Sequence, residues 1–537
     1  MPMPSLAALS DRGARLLEDV IAIDSASDER SESIPSTEGQ RVIVRHIQEA
    51  LAARGFAGSV DESGTLVVEI PGNRPGPKMV LMVHIDTARG TEAVPALSTI
   101  HAWNGGRVPF RENEELVVSA EHYPETRVFV GEDLLYGSGK APIGLDDKVG
   151  VALVLTLAHA LADDPSLPRG DLVLAFRPDE EIGRHEAVKG LARALAERGV
   201  RFGYTVDGIH PFEVNVENFH AARASLTIEG RPVVVEDAQV ARALTLRVRG
   251  VKSHGATAKS EGYLNASVVL TRAMGGLSRR QDLLPVSFQS DAQCEVDAEC
   301  VFHLRGADVA ALDRAERALT DALAAEVAPH AWRGAKVEKL SSTADDPRRA
   351  LDDAAMRAFA HLATFLREDG PAPRLSEESS GHEGYTNPCF LHHRAPTDGA
   401  PRVQIVEYRV RDFDRARLDA RLAHVRTLAA KGPGAIAFES AEQYVNMGPA
   451  LAPYPSLVSF ADDAAHAVGR QIVVQPIRGG TGVDPFLDVG IPIANLGTGY
   501  FAPESEKELT SRQSIGRHAE WLLSLTAVVA NGAWSAR

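Results

Sequence analysis

The chain has 537 residues, too many for one hydrophobic core, so two or three domains are expected. Its composition, 44% hydrophobic and 24% charged, is that of a soluble globular protein, and a formal net charge of -16 argues against a nucleic-acid partner, which needs basic patches. No apolar run approaches the roughly 20 residues of a membrane span. No secretory leader is visible at the N-terminus, and Cys294, Cys300 and Cys389 lack metal-site or disulfide spacing, so a cytoplasmic protein is expected.

In chain order, residues 5–22 read as an amphipathic helix, and "QRVIVRHIQEALAARG" (40–55) as a second, with Gly55 as its C-cap. Strands are expected over 65–70, 78–86 and 171–176, with an apolar segment of helical length, 146–162, before the last of them. Strands alternating with helices predict an α/β layered domain with a largely parallel sheet, whose chemistry sits at the carboxyl ends of its strands. Further on, 296–323 aligns with 402–428 as a strand, a turn and a charged helix. The alignment pairs Arg305 with Arg411, Asp308 with Asp414, Leu312 with Leu418 and Asp313 with Asp419. Chance similarity between two such units is the alternative. Between them, 367–384 is rich in Pro, Ser, Gly and charge and reads as an exposed loop.

Acidic residues and a histidine fall just after the expected strands. In "HID" (84–86), period-two alternation puts His84 and Asp86 on one side of the strand end. A ligating histidine usually has its second nitrogen held by a carboxylate or carbonyl, a place Asp86 can fill, although His-x-Asp alone fits a structural histidine as well. "GLDDK" (144–148) offers two aspartates before a helix, where an N-cap is the plainer reading. "RPDEEIG" (177–183) ends an apolar run in Asp179, Glu180 and Glu181, and "YTVDG" (204–208) places Asp207 after a β-like run. Each is explicable alone; the four together point to a cation, which relieves the repulsion among neighbouring carboxylates. Oxygen ligands with one imidazole suit zinc or another borderline divalent ion. "YGSGKAPIG" (136–144) is not a phosphate loop, since no glycine stands five residues before Gly139-Lys140 and no Ser or Thr follows the lysine.

"IPSTEGQ" (34–40), "HIDT", "GLDDKVG", "RPDEEIG", "YTVDG", "VENFHAA" (216–222), "HGATAK" (254–259), "YRVRDFDR" (408–415) and "PIRGGT" (476–481) resemble, in order, segments of the peptidase T branch of the zinc aminopeptidase and amidohydrolase family. Carboxypeptidase G and succinyl-diaminopimelate desuccinylase belong to the same family. The stretch from about 266 to 380 has no clear counterpart. The resemblance implies an α/β catalytic domain with a mostly parallel sheet (1–219 and 438–537), interrupted by an α+β lid domain (220–437). The lid is enlarged and, if the repeat is real, internally duplicated. It implies two Zn2+ ions, with His84 and Asp207 as terminal ligands, Asp146 as the bridge and Glu181 as a further ligand. Glu180 becomes the general base, Asp86 orients His84, and the Asp146–Asp147 peptide is cis. His254 and Arg411 are implied as substrate contacts, with Asn265 and Arg478 in the same region; for Arg411 an ion pair with Asp412 or Asp414 is the alternative.

One departure matters. The relatives carry a last histidine ligand, whereas "NLGTGYFAPESEKELTSRQS" (495–514) has none. An ungapped alignment from "PIRGGT" puts Lys507 there, and a small shift puts Glu506 there; a carboxylate can ligate, an ammonium cannot. The expected activity is hydrolysis of a small peptide by metal-activated water, in the manner of a tripeptide aminopeptidase. A dipeptidase or N-acyl amino-acid amidohydrolase is the alternative among enzymes, and a catalytically silent peptide-binding relative the alternative of another class. A duplicated lid favours a monomer with a pseudo-dimeric lid; a homodimer is the other possibility.

Overall fold

The computed structural model describes residues 3–230, 239–251, 264–277, 286–291, 297–349, 384–394, 402–432 and 436–534, with scattered positions between 354 and 382. The chain divides into two compact units, Met1–Asn218 with Asn446–Arg537, and Phe219–Val445. Its strands are β1 Gly58–Val60, β2 Leu66–Ile70, β3 Met79–His84, β4 Ser98–Ile100, β5 Leu134–Tyr136, β6 Leu172–Arg177, β7 Phe202–Gly208, β8 Glu213–Asn215, β9 His220–Gly230 and β10 Val240–Arg249. They continue as β11 Val286–Asp291, β12 Asp297–Gly306, β13 Lys336–Ala344, β14 Tyr385–Arg394, β15 Arg402–Asp412, β16 Ile436–Tyr444, β17 Val473–Val474, β18 Ile493–Gly497 and β19 Leu509–Ser511. The main helices are α1 Leu6–Ile21, α2 Glu38–Ala52, α3 Leu145–Asp163, α4 His185–Glu197, α5 Ala266–Leu277, α6 Val309–Val327, α7 Arg415–Lys431, α8 Ser456–Ala467 and α9 Arg512–Asn531.

The first unit is built on an eight-stranded sheet in the order β1-β2-β6-β3-β7-β18-β8-β17. Its centre is parallel: β3 runs with β6 and β7, and β7 with β18. Strands buried on both faces read as unbroken apolar runs, which is why β3 and β6 are buried along their whole length. α3 is buried nearly all round, as its apolar sequence requires, and packs with α1 and α9. Fully burying one of its side chains, such as Leu153 or Leu157, contributes about 1.5–3 kcal/mol. The expected helices form, although α2 ends at Ala52 and Gly55 turns the chain beyond it with φ +85°. A smaller core around Trp103, Phe110, Tyr123, Phe129 and Phe501 lies beside the three-stranded sheet β19-β5-β4.

The second unit contains two four-stranded antiparallel sheets with matching order, β11-β12-β10-β13 and β14-β15-β9-β16. In each, a long strand leads through an aspartate N-cap into a helix and returns as the strand on the far side of the sheet. Asp308 caps α6 by accepting from the Ala311 N–H, and Asp414 caps α7 by accepting from the Arg417 N–H. These are the residues the sequence alignment pairs, and Leu312 and Leu418 are both buried. The first set, β10-α5-β11-β12-α6-β13, is contiguous in sequence and enters the other set after its first strand, β9. Because β16 pairs with β9 from Ile436 to Tyr444, the unit runs on to Val445, past the expected 437.

Candidate metal centre and active site

Three neighbouring parallel strands, β6, β3 and β7, deliver the acidic motifs to one end of the sheet. His84 closes β3 and is buried. Its Nδ1 lies 2.9 Å from the Asp86 carbonyl oxygen and 3.5 Å from the Asp86 carboxylate. The carbonyl fixes a proton on Nδ1 and turns Nε2 outward, where loss of its own proton would free a lone pair for a cation. That Nε2 lies 2.9 Å from Asp146 Oδ1 and 3.4 Å from Asp207 Oδ1. Burial alone would push the His84 imidazole down, but Asp207, Asp146 and Asp86 outweigh it and hold it well above the usual histidine range.

Asp146 and Asp147 stand at the start of α3 with non-helical dihedrals, joined by a cis peptide. Gly144 before them has φ +79°, and a Cβ there would meet Thr87 Cγ2 at 2.6 Å. Asp147 turns inward: it is 1% exposed and accepts from the His84 and Gly150 N–H groups. Asp146 turns outward, its Oδ1 toward His84 and its Oδ2 accepting from the Tyr500 hydroxyl at 3.1 Å.

The three acids after β6 part company. Asp179, at φ +56°, accepts from the Ser36 N–H, the Ser36 hydroxyl (2.5 Å) and the Gln40 amide (2.7 Å), so "IPSTEGQ" is the brace of this turn. Glu180 lies 3.3 Å from the buried Arg177 guanidinium. Glu181 is held at its backbone, where its N–H donates to Asp86 Oδ2 (3.1 Å) and the neighbouring Glu180 N–H donates to Asp86 Oδ1 (2.9 Å). Its Oε1 is buried and makes no hydrogen bond among the described residues. Burial, then the charges of Glu504 and Asp146, raise the Glu181 carboxyl well above the usual range, and burial raises Asp207 to about 7.

Among the described residues, two groups each bring their ligand atoms within 4.8 Å of one another: His84, Asp146 and Asp207, and Asp146, Glu181 and Glu504. Asp146 belongs to both. The donor set and the orphaned Glu181 oxygen fit a pair of divalent cations sharing Asp146, since a cation offsets this crowding of carboxylates. Glu504 is the member that the sequence reading missed. Lys507, which alignment puts in the histidine's place, is instead buried with its Nζ over the Tyr123 ring (4.8 Å) and the Phe501 ring (5.8 Å). Glu506 is buried and belongs to neither group. Glu508 is a brace: its Oε2 accepts from the N–H groups of Ile143, Gly144 and Leu145, and its Oε1 from the Glu504 N–H. The signal available in sequence was the alternation of acids in "ESEKE".

In the second unit, Arg411 is 7% exposed, donates to the Ala222 and Val410 carbonyls and stands over the Tyr444 ring at 5.2 Å. The aspartates expected as its ion-pair partners are used otherwise: Asp412 pairs with Arg421 and Arg417, and Asp414 caps α7. Asn265 caps the start of α5 by accepting from the Val268 N–H and donates to Asn387 and to the Pro388 carbonyl. Arg478 is half-buried in the first unit, and His254 lies outside the described residues.

The model of peptidase family M20/M25/M40 matches residues 108–527. A peptidase T from Geobacillus thermodenitrificans is 25% identical over 518 residues, covering 94% of this chain and 95% of the relative. One from Halothermothrix orenii is 32% identical over 217 residues, 39% of this chain and 52% of the relative. The solved aminopeptidase PepT from Bacillus cereus covers 97% of this chain and 99% of its own at a TM-score of 0.52 and 15% identity. Human carnosine dipeptidase 1 covers 98% of both at a TM-score of 0.53 and 12% identity. These two share the fold. With a family match across most of its length and the acidic motifs gathered at one sheet end, the chain belongs to peptidase family M20/M25/M40 and is a metallopeptidase.

Proposed function

We propose that the chain removes the N-terminal residue of small peptides, tripeptides first, using two zinc ions held by His84, Asp207, Asp146 and Glu181. The observation that carries this is the sharing of Asp146 between two ligand groups at the carboxyl ends of parallel strands. Relatives named peptidase T across 94% of the chain support the tripeptide reading. Bound cations would polarise the scissile carbonyl and make water acidic enough to ionise near neutrality. Glu180, 16% exposed at its side chain and oriented by Arg177, accepts the proton of the attacking water and passes it to the leaving amine. Asp86 holds His84 Nδ1 through its carbonyl and ties down the Glu180 and Glu181 backbone through its carboxylate.

The Phe219–Val445 unit is taken as a lid, with His254 polarising the carbonyl and Arg411, Asn265 and Arg478 contacting the substrate. A monomer is proposed because β11 runs beside β14, so these two sheet edges face each other rather than a second copy. A dimer by light scattering would overturn that. A cytoplasmic location is proposed from the cysteine pattern; separately, among the described residues no helix is long and apolar enough to cross a membrane.

The test is metal content per chain together with hydrolysis of a panel of tripeptides, dipeptides and N-acyl amino acids, before and after chelation. Two metals and tripeptide turnover that chelation abolishes are expected. No turnover with any divalent ion would end the enzyme reading, and preference for dipeptides or N-acyl substrates would reassign the substrate.

A further inference from the structure

The two ligand groups differ in chemistry. The first contains an imidazole nitrogen, His84 Nε2, with Asp146 and Asp207; the second, Asp146, Glu181 and Glu504, is oxygen throughout. Glu504 does not reach this group by accident of a loose loop. It stands in the left-handed region at φ +52°, and its N–H donates to Glu508 Oε1 at 2.9 Å. The other oxygen of that 2%-exposed carboxylate gathers the three N–H groups immediately before Asp146. One buried side chain therefore sets the position of Glu504 against that of Asp146. Opposite them, Glu181 offers a buried oxygen that no hydrogen bond satisfies among the described residues.

We infer that Glu504 is the ligand standing where the relatives carry a histidine, and that the two cation positions consequently differ in metal preference. An all-carboxylate position suits harder ions such as Mn2+, whereas a position with imidazole suits zinc. Zinc binds divalent sites more tightly than manganese in general, so the signature lies in the ratio. The zinc-over-manganese discrimination is smaller at the Glu504 position than at the His84 position. This inference rests on the two-metal reading above and deepens it.

The test uses full-length metal-free protein titrated with Mn2+, followed by electron paramagnetic resonance and equilibrium dialysis, then with Zn2+. Wild type should bind two Mn2+ per chain, and one equivalent of Zn2+ should displace one of them and leave a mixed complex. Anomalous scattering should place the manganese beside Glu504 and the zinc beside His84. E504Q, which keeps the backbone hydrogen bond to Glu508, should weaken one Mn2+ by about tenfold or more and leave the other unchanged. E504H should widen the zinc-over-manganese ratio at that position, so that the remaining manganese is displaced at a smaller excess of zinc than in wild type. Two Mn2+ bound by E504Q as tightly as by wild type would overturn the inference while leaving the two-metal enzyme standing. Zinc found beside Glu504 in the mixed complex would do the same. Failure of wild type to bind more than one divalent ion would instead remove the two-metal reading itself.

Discussion

Glu508 is the residue whose loss should be felt most widely, because its carboxylate satisfies four backbone donors, three of them buried and one part-buried. Three belong to the loop entering α3, Ile143 and Gly144 at 2.8 Å and Leu145 at 3.2 Å, and the fourth is Glu504 at 2.9 Å. E508A leaves all four without an acceptor in a place where the side chain is only 2% exposed. A buried polar group left unsatisfied costs about 1–3 kcal/mol, and partial relaxation of the two loops favours the lower figure. The expected loss is therefore about 4 kcal/mol, a large share of a typical domain's stability. E508Q keeps one acceptor oxygen, which can serve the three-donor side, while its amide faces the Glu504 N–H donor to donor. About 1–3 kcal/mol is expected there, together with weaker metal binding, because Glu504 loses its anchor. Urea denaturation of metal-free protein measures the first effect and equilibrium dialysis the second. If E508A unfolds at the wild-type urea concentration, the argument that this carboxylate organises both loops is wrong.

Glu180→Gln should lower kcat by about 10²–10⁴ with little change in KM, since the side chain is given the proton transfer and not the binding. Arg411→Lys should raise KM more than it lowers kcat, because an ammonium reproduces neither the planar stacking on Tyr444 nor a two-point hold on a carboxylate; an unchanged KM would assign Arg411 to structure alone. His518 is buried, stacked on Phe212 at 4.6 Å, accepts from the Phe212 N–H, and is pushed by burial from 6.5 to about 4. The unfolded chain binds the proton first, so stability present above about pH 6.5 should fall by up to about 3 kcal/mol toward pH 4, and H518Q should flatten that part of the urea-midpoint profile. Glu181→Gln should raise the urea midpoint of metal-free protein, since it removes a carboxyl whose ionisation is opposed by burial and by Glu504 and Asp146, and should lower the midpoint relative to wild type once metal is added.

Much of the candidate site was legible because its acidic motifs follow strand ends. His84, Glu181 and Asp207 each terminate or follow a strand whose apolar run is plain in sequence, and Asp146 precedes the most apolar helix of the chain. Two helix starts were legible too, since Asp308 and Asp414, which the alignment pairs, each cap a helix that follows a strand. Glu504 was not. Its partners lie more than three hundred residues away, and three acids alternate within "ESEKE". What sorts them is three-dimensional: a left-handed turn at Glu504, an aromatic floor under Lys507 and four N–H groups around Glu508. The second boundary between units is hard to read from sequence for a similar reason. Whether β16 closes a sheet of one unit or begins the other depends on its partner β9, which is distant in sequence.

The crowding of Asp179, Glu180 and Glu181 resolves into three different electrostatic settings within a single turn. Asp179 is surrounded by donors, so its charge is satisfied locally and serves to hold the turn against Ser36 and Gln40. Glu180 has one guanidinium beside it and remains partly exposed, the setting of a carboxylate that must exchange a proton with water. Glu181 receives no side-chain donor at one buried oxygen and faces two other carboxylates. Asp86, buried beneath them, is what allows the last two to stay adjacent, because it takes both backbone N–H groups and fixes where each side chain departs. A turn braced on one side by Asp179 and from below by Asp86 can hold an unsatisfied carboxylate in place without metal. The energetic cost of doing so is what a cation would recover on binding at Glu181, where the described residues supply oxygen and nothing else.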